Sequence, residues 1–306
     1  MNNFVFLFVI SLCGTPISSL SVERTNRISG GSPATDTQFG YMISLQERSQ
    51  LSTYTRGHRC GGALVTLRHA VTSASCVHEI KNKQYVVINA TEYRVFAGAV
   101  DLTNDTSTDR HRDIKKITVH PDYRPNTPYV NDIAIITLAS EFPSNAVSTV
   151  ALAVTDPISI QGGICQSSGW GSQNETSSAS TQLMHIRKAM FEQTICREIY
   201  SEGMGETIQI NIINTMLCAI NFQASSCEGD LGNPLVCNSN LNGILIYHRS
   251  GCSDEPSAIP DIYTRISSFR PWIQETTTPS GASSFQPGIA LGLICIIQIV
   301  TAKVLQ

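Results

Sequence analysis

The sequence predicts an all-β body, a sandwich or a barrel, and three observations carry that expectation. Seven short segments are rich in β-branched and aromatic residues: 41–45 (YMISL), 85–89 (YVVIN), 93–98 (YRVFAG), 115–120 (KKITVH), 132–138 (DIAIITL), 244–248 (ILIYH) and 261–266 (DIYTRI). Gly, Asn, Asp, Ser and Pro separate them, as turns require. No long helical periodicity competes with this pattern. With 15% charged and 42% hydrophobic residues, the 306-residue chain is built to fold. Its net charge of −3 offers no attraction for nucleic acid or for an anionic membrane surface.

From the N-terminus, residues 4–13 (FVFLFVISLC) form a short apolar run followed by small residues, the layout of a secretory signal peptide. No Lys or Arg precedes the run, so the terminal amine is its one positive charge. Cleavage is expected between Gly14 and Ser21, which assigns residues 1–20 to the signal and 21–27 to a short propeptide. A body of 28–275 follows, free of low-complexity linkers and internal repeats. One helix is expected near its end, with Ser268 capping FRPWIQE and Phe269, Trp272 and Ile273 facing the body.

Residues 276–287 read as a Ser/Thr/Pro/Gly stalk, and 288–306 as a hydrophobic tail. Small residues Ser280–Ser283, a polar spacer and the apolar end match a GPI-attachment signal; a membrane-anchoring tail is the other reading. Sequons at Asn89, Asn104 and Asn174 fit an extracellular glycoprotein. The ten cysteines are widely and irregularly spaced, without the paired spacing of zinc sites, and favour an oxidised compartment.

Within the body, ordered motifs resemble the chymotrypsin-like, trypsin-type serine protease family: RISGG (27–31), CGGALVTLRHAVTSASC (60–76), NDIAIITL (131–138), SSGWG (167–171), CEGDLGNPLVC (227–237), GILIYHRSGC (243–252) and PDIYTRI (260–266). The resemblance covers roughly 27–275 and implies two six-stranded antiparallel β-barrels with a C-terminal helix. It also implies disulfides Cys60–Cys76, Cys165–Cys237, Cys196–Cys218 and Cys227–Cys252. Cys13 and Cys295 fall outside that framework. A cut between Arg27 and Ile28 would free an amine able to pair with Asp230.

The family's chemistry needs a serine nucleophile, a histidine base and an aspartate that orients it. At the matching positions stand Leu231, Ser75 and Asp132. Leucine offers no nucleophilic atom, and a serine hydroxyl is no base near neutral pH. His78 lies close to the vacated position but is offset by residues, hence by several ångströms. On these grounds the chain is expected not to be an enzyme.

The resemblance places Ser225 at the base of the specificity pocket and Asp261 on its wall. Ile246, Tyr247 and His248 fall on the strand that would pair with a bound backbone, and His248 replaces a glycine at the pocket mouth. The expected function is therefore protein binding by a secreted or surface-anchored homologue acting as cofactor, decoy or regulator of an extracellular pathway, with immune or reproductive settings by analogy. A carbohydrate- or matrix-binding module, or a hydrolase with relocated residues, are the alternatives. No cofactor and no metal are expected. The acidic loop 99–109 could resemble a calcium loop, but the Asn104 sequon inside it favours a solvated, glycosylated segment.

Overall fold

The computed structural model describes residues 31–278, apart from 128, 157–163, 173–178, 203–208, 223 and 250–258. The first half of the body contains β1 (Ser32–Pro33), β2 (Met42–Glu47), β3 (His58–Thr66), β4 (His69–Thr72), β5 (His78–Lys81), β6 (Gln84–Val87), β7 (Tyr93–Ala97), β8 (His111–Val119) and β9 (Ala134–Leu138). Six of them close into an antiparallel barrel in the order β2-β3-β4-β9-β8-β7. β5 and β6 form a separate hairpin that leaves Ile80, Tyr85 and Val87 exposed.

The segment around β9 shows how the sequence builds this. Ala134, Ile136 and Leu138 point into the barrel core, while Ile133 and Ile135 join a second cluster against the other barrel. Side chains alternate across a strand, so a run that is apolar at every position but Thr137 serves a strand buried on both faces.

The second half adds β10 (Ala151–Leu152), β11 (Ile164–Gly169), β12 (Met184–Phe191), α1 (Gln193–Ser201), β13 (Met216–Ile220), β14 (Pro234–Cys237), β15 (Asn240–Tyr247), β16 (Asp261–Arg265) and α2 (Ile266–Thr277). The order β12-β11-β14-β15-β16-β13 closes through pairing of β13 back to β12, giving a second six-stranded antiparallel barrel. β1 extends it beside β12, and β10 lies parallel to β15. Glu192 caps α1 by accepting the N–H of Ile195 at 2.8 Å.

α2 begins earlier than the sequence signals. Arg265, still extended, is its first flanking residue, and Ser268 lies inside the helix rather than at its cap. The helix grows straight out of β16, with the Arg265 side chain drawn back onto the Met216 carbonyl, Gln193 and Asp156. Phe269 and Ile273 are buried as expected, in the cluster with Val150, Leu241 and Ile244 that seals the two barrels together. Among the described residues, no helix is long and apolar enough to cross a membrane.

Candidate active site

The three triad-matching residues come from different elements at the junction of the barrels. Ser75 opens a short 3-10 turn, Ser75–Val77, just after β4. Asp132 sits at the entry to β9, and Leu231 in the loop before β14. Ser75 donates its backbone N–H to Asp132 Oδ1 at 2.8 Å, and its hydroxyl lies 3.0 Å from that of Ser73. The Asp132 carbonyl accepts from Thr264 Oγ1 of the second barrel at 2.7 Å.

Burial pushes the Asp132 carboxyl up to about 6, and the hydrogen bonds from Ser75 only partly oppose it. His78 follows the Ser75–Val77 turn, with its Nδ1 2.7 Å from the Ala74 carbonyl and its ring packed against Tyr123.

The loop around Leu231 is held from every side. Gly61 N–H donates to the Leu231 carbonyl at 2.9 Å, Gly232 N–H to Leu245 at 2.8 Å, and Leu245 N–H to Asn233 at 2.9 Å. Gly232 adopts φ 80°, where a side chain would be strained, and any Cβ there would come 2.4 Å from the Gly61 carbonyl oxygen. The half-buried Leu231 side chain is thus presented from an ordered backbone.

Asp230 turns inward. Its carboxylate accepts from Gly171 N–H at 2.9 Å, Cys227 N–H at 2.9 Å and Asn233 Nδ2–H at 2.8 Å. Burial raises its pKa, and the two backbone donors oppose that shift. The Asn233 amide is wedged among glycines: a Cβ on Gly61 would lie 1.7 Å from its Oδ1, and one on Gly169 1.8 Å from its Nδ2. Sequence reading missed Asn233, whose role is visible only once three chain segments meet.

His58 was missed as well. Its Nε2–H donates to the Gly229 carbonyl at 3.0 Å, and Nδ1 accepts from the Ser44 hydroxyl at 2.7 Å. Burial lowers its pKa to about 4, so the ring is neutral at physiological pH and fastens the first barrel to this loop.

The three specificity-pocket residues have separate fates. Ser225 Oγ is buried without a hydrogen-bond partner. His248 is half-buried, with Nδ1 3.0 Å from the Arg249 carbonyl. Asp261 is paired inside the barrel with Lys188 of β12, and Ser226 Oγ donates to its Oδ2 at 2.5 Å. The signal for Lys188 lay in the strand: Met184, Ile186 and Met190 alternate inward, and Lys188 falls on the same face. A charge at such a position demands a partner. Tyr247 is drawn into an aromatic group with Tyr129 and Tyr200, whose ring centroids lie 5.2 and 5.8 Å away. It is packed into the barrel wall.

Three of the four implied disulfides are present: Cys60–Cys76, Cys165–Cys237 and Cys196–Cys218. Cys227 is disulfide-bonded too, while Cys252 lies outside the described residues. Arg27, Ile28, the sequon at Asn174, the signal segment, Cys13, Cys295, the stalk beyond 278 and the tail also lie outside them. Asn89 and Asn104 are exposed. In the acidic loop 99–109, the Asp105 carboxylate points inward and takes hydrogen bonds from Arg56 at 2.7 Å and Arg94 at 2.6 Å.

Comparison with known proteins fits this geometry. The sequence matches the family described as Trypsin over residues 28–273. Trypsin beta of Drosophila erecta is 31% identical over 278 residues, covering 89% of this chain and 98% of the relative. A chymotrypsin-like serine proteinase of Haliotis rufescens is 29% identical, covering 90% of this chain and 99% of its own. Neuropsin, a serine protease expressed in the limbic system of mouse brain, has a similar structure, with a TM-score of 0.65 at 25% identity over 81% of this chain and 99% of that one.

These relatives correct one expectation. Ser75 and Leu231 had pointed to a chain that is not an enzyme, yet the proteins it resembles are named as trypsins and proteinases. The physical reason is that catalysis of this kind does not reside in the nucleophile and base alone. In triad enzymes a positioned loop and bound substrate still give about 10³–10⁴-fold over water when a triad member is removed. The loop 229–233 is held in place here, and substitutions at two positions do not decide the matter.

Proposed function

The chain belongs to the trypsin family, and from that premise we propose that it acts outside the cell, secreted or anchored at the surface through its C-terminal tail, by engaging a polypeptide at the junction of its two barrels. Its role in that setting is that of a cofactor, decoy or regulator. The disulfide framework suits an oxidising extracellular compartment. The observation that carries the reading is Leu231. A half-buried apolar side chain stands in a loop whose backbone is fixed by both barrels, so it is preorganised to meet a partner at little ordering cost.

A second reading rests on Asp132. A buried carboxyl at about 6, hydrogen-bonded to Ser75, is poised to exchange a proton near neutral pH, as hydrolysis with relocated residues would need.

One experiment separates the two. Proximity labelling on producing cells compares the native chain with Leu231→Arg, while peptide hydrolysis is followed in parallel with Asp132→Asn. A polypeptide captured by the native chain and lost with Leu231→Arg supports binding at the loop; equal capture by both overturns it. Peptide turnover abolished by Asp132→Asn establishes the hydrolase reading.

A further inference from the structure

We propose that Lys188 sets the side-chain preference of the cleft, closing Asp261 against positively charged groups so that a bound polypeptide seats an uncharged side chain beside Ser225 and Ser226. This deepens the polypeptide-binding reading above and rests on it.

Asp261 by itself would be an acidic pocket wall, suited to a lysine or arginine side chain. The fold supplies that cation internally. Lys188 is 1% exposed and Asp261 6%, with Nζ against Oδ2. Nζ also donates to Ser226 Oγ at 2.9 Å, and the Ser226 hydroxyl in turn donates a hydrogen bond to Asp261 Oδ2 at 2.5 Å. The ammonium sits 5.6 Å from the centroid of the Tyr263 ring, which adds a favourable face for the cation.

Burial would lower the Lys188 pKa, but the charge of Asp261 outweighs it and keeps the ammonium protonated well above neutral pH. The cluster is therefore neutral as a whole. An arriving guanidinium or ammonium would find no free carboxylate and would meet a fixed positive charge. A buried pair of this kind is not opened by solvent, because separating its members leaves a charge uncompensated. Two strands, β12 and β16, and a loop residue build the cluster, so it is part of the scaffold and not an adjustable rim contact.

The test uses benzamidine, a flat aromatic cation, and benzamide, its neutral isostere, against the full-length secreted chain by calorimetry. The native chain is expected to bind benzamidine no more tightly than benzamide. Lys188→Met keeps the length of the side chain and removes its charge, freeing Asp261; benzamidine affinity should rise about tenfold or more, as a charge-assisted contact gives. Adding Asp261→Asn should cancel the gain.

A tenfold preference of the native chain for benzamidine over benzamide overturns the proposal. So does a folded Lys188→Met variant, verified by its melting transition, that shows no gain. If Lys188→Met fails to fold, the native comparison still decides. Equal partner capture by the native chain and by Leu231→Arg, with the benzamidine result intact, would overturn the polypeptide reading alone.

Discussion

The backbone N–H of Ser75 points at Oδ1 of Asp132 from 2.8 Å, tying the turn after β4 to the entry of β9. The carboxyl it meets is almost wholly buried, which raises its pKa from 3.8 to about 6. The folded state therefore holds a proton that the unfolded state releases. Stability from this group is fully present below pH 4 and is lost as pH rises through 6, the sign opposite to that of a paired surface carboxylate.

Asp132→Asn removes that dependence. Denaturant unfolding at a series of pH values should show the native chain losing about 3 kcal/mol between pH 4 and 7 relative to the variant, from a shift of about two units. Parallel curves for the two proteins would mean that Asp132 is solvated.

Asn233→Ala deletes the side-chain donor to Asp230. A hydrogen bond to a buried charged acceptor is worth about 1.5–3 kcal/mol, so the unfolding free energy should fall by that amount, read as a lower urea midpoint with an unchanged slope. An unaltered midpoint would show that the Gly171 and Cys227 donors suffice.

Asp105→Asn leaves Arg56 and Arg94 facing each other without their shared carboxylate. Breaking a largely buried pair costs about 3 kcal/mol, which thermal melting should register. Chelation of divalent cations should leave the native melting point where it is, because guanidinium groups already occupy the inward face of this acidic loop. A chelator-induced drop would refute that account.

Ser75→His together with Leu231→Ser places an imidazole beside Asp132 and a hydroxyl on a fixed loop. Peptide turnover should increase over the parent by about 10²-fold or more, with substrates uncharged at the pocket position. Each single replacement should yield far less, since the members act as a unit. A folded double variant without gain would mean that the loop and Asp132 are misaligned.

Much of the fold was legible because its signals are local. The apolar run at 133–138 is a local signal, and Ala134–Leu138 forms a strand whose alternate residues serve two clusters. The start of α2 was not, because Arg265 leaves the strand with its side chain committed to distant partners, and no local cap marks the entry. The disulfides followed from family likeness, since spacing alone leaves many connectivities open.

The site divides the same way. The resemblance places Asp261 on a pocket wall, but its partner Lys188 lies 73 positions from it in sequence, and only the closed barrel brings them together. Asn233 needs Gly61, Gly169 and Asp230 in place before its role exists. The inference from Ser75 and Leu231 to a non-enzyme failed for a related reason: residue identity at two positions says little about what the surrounding backbone still does.

The glycine cage around Asn233 also constrains the routes by which this chain can change. A Cβ at Gly61 would stand 1.7 Å from the amide and one at Gly169 1.8 Å, distances no side chain tolerates. Neither glycine can drift while the asparagine stays. At Gly61 position 233 must shrink first, a step that loses an Asp230 donor before any benefit arrives, and at Gly169 even that fails, because a Cβ there would also stand 2.3 Å from Asp230 Oδ1. Viable histories through these sites are thus ordered, and most orders are closed.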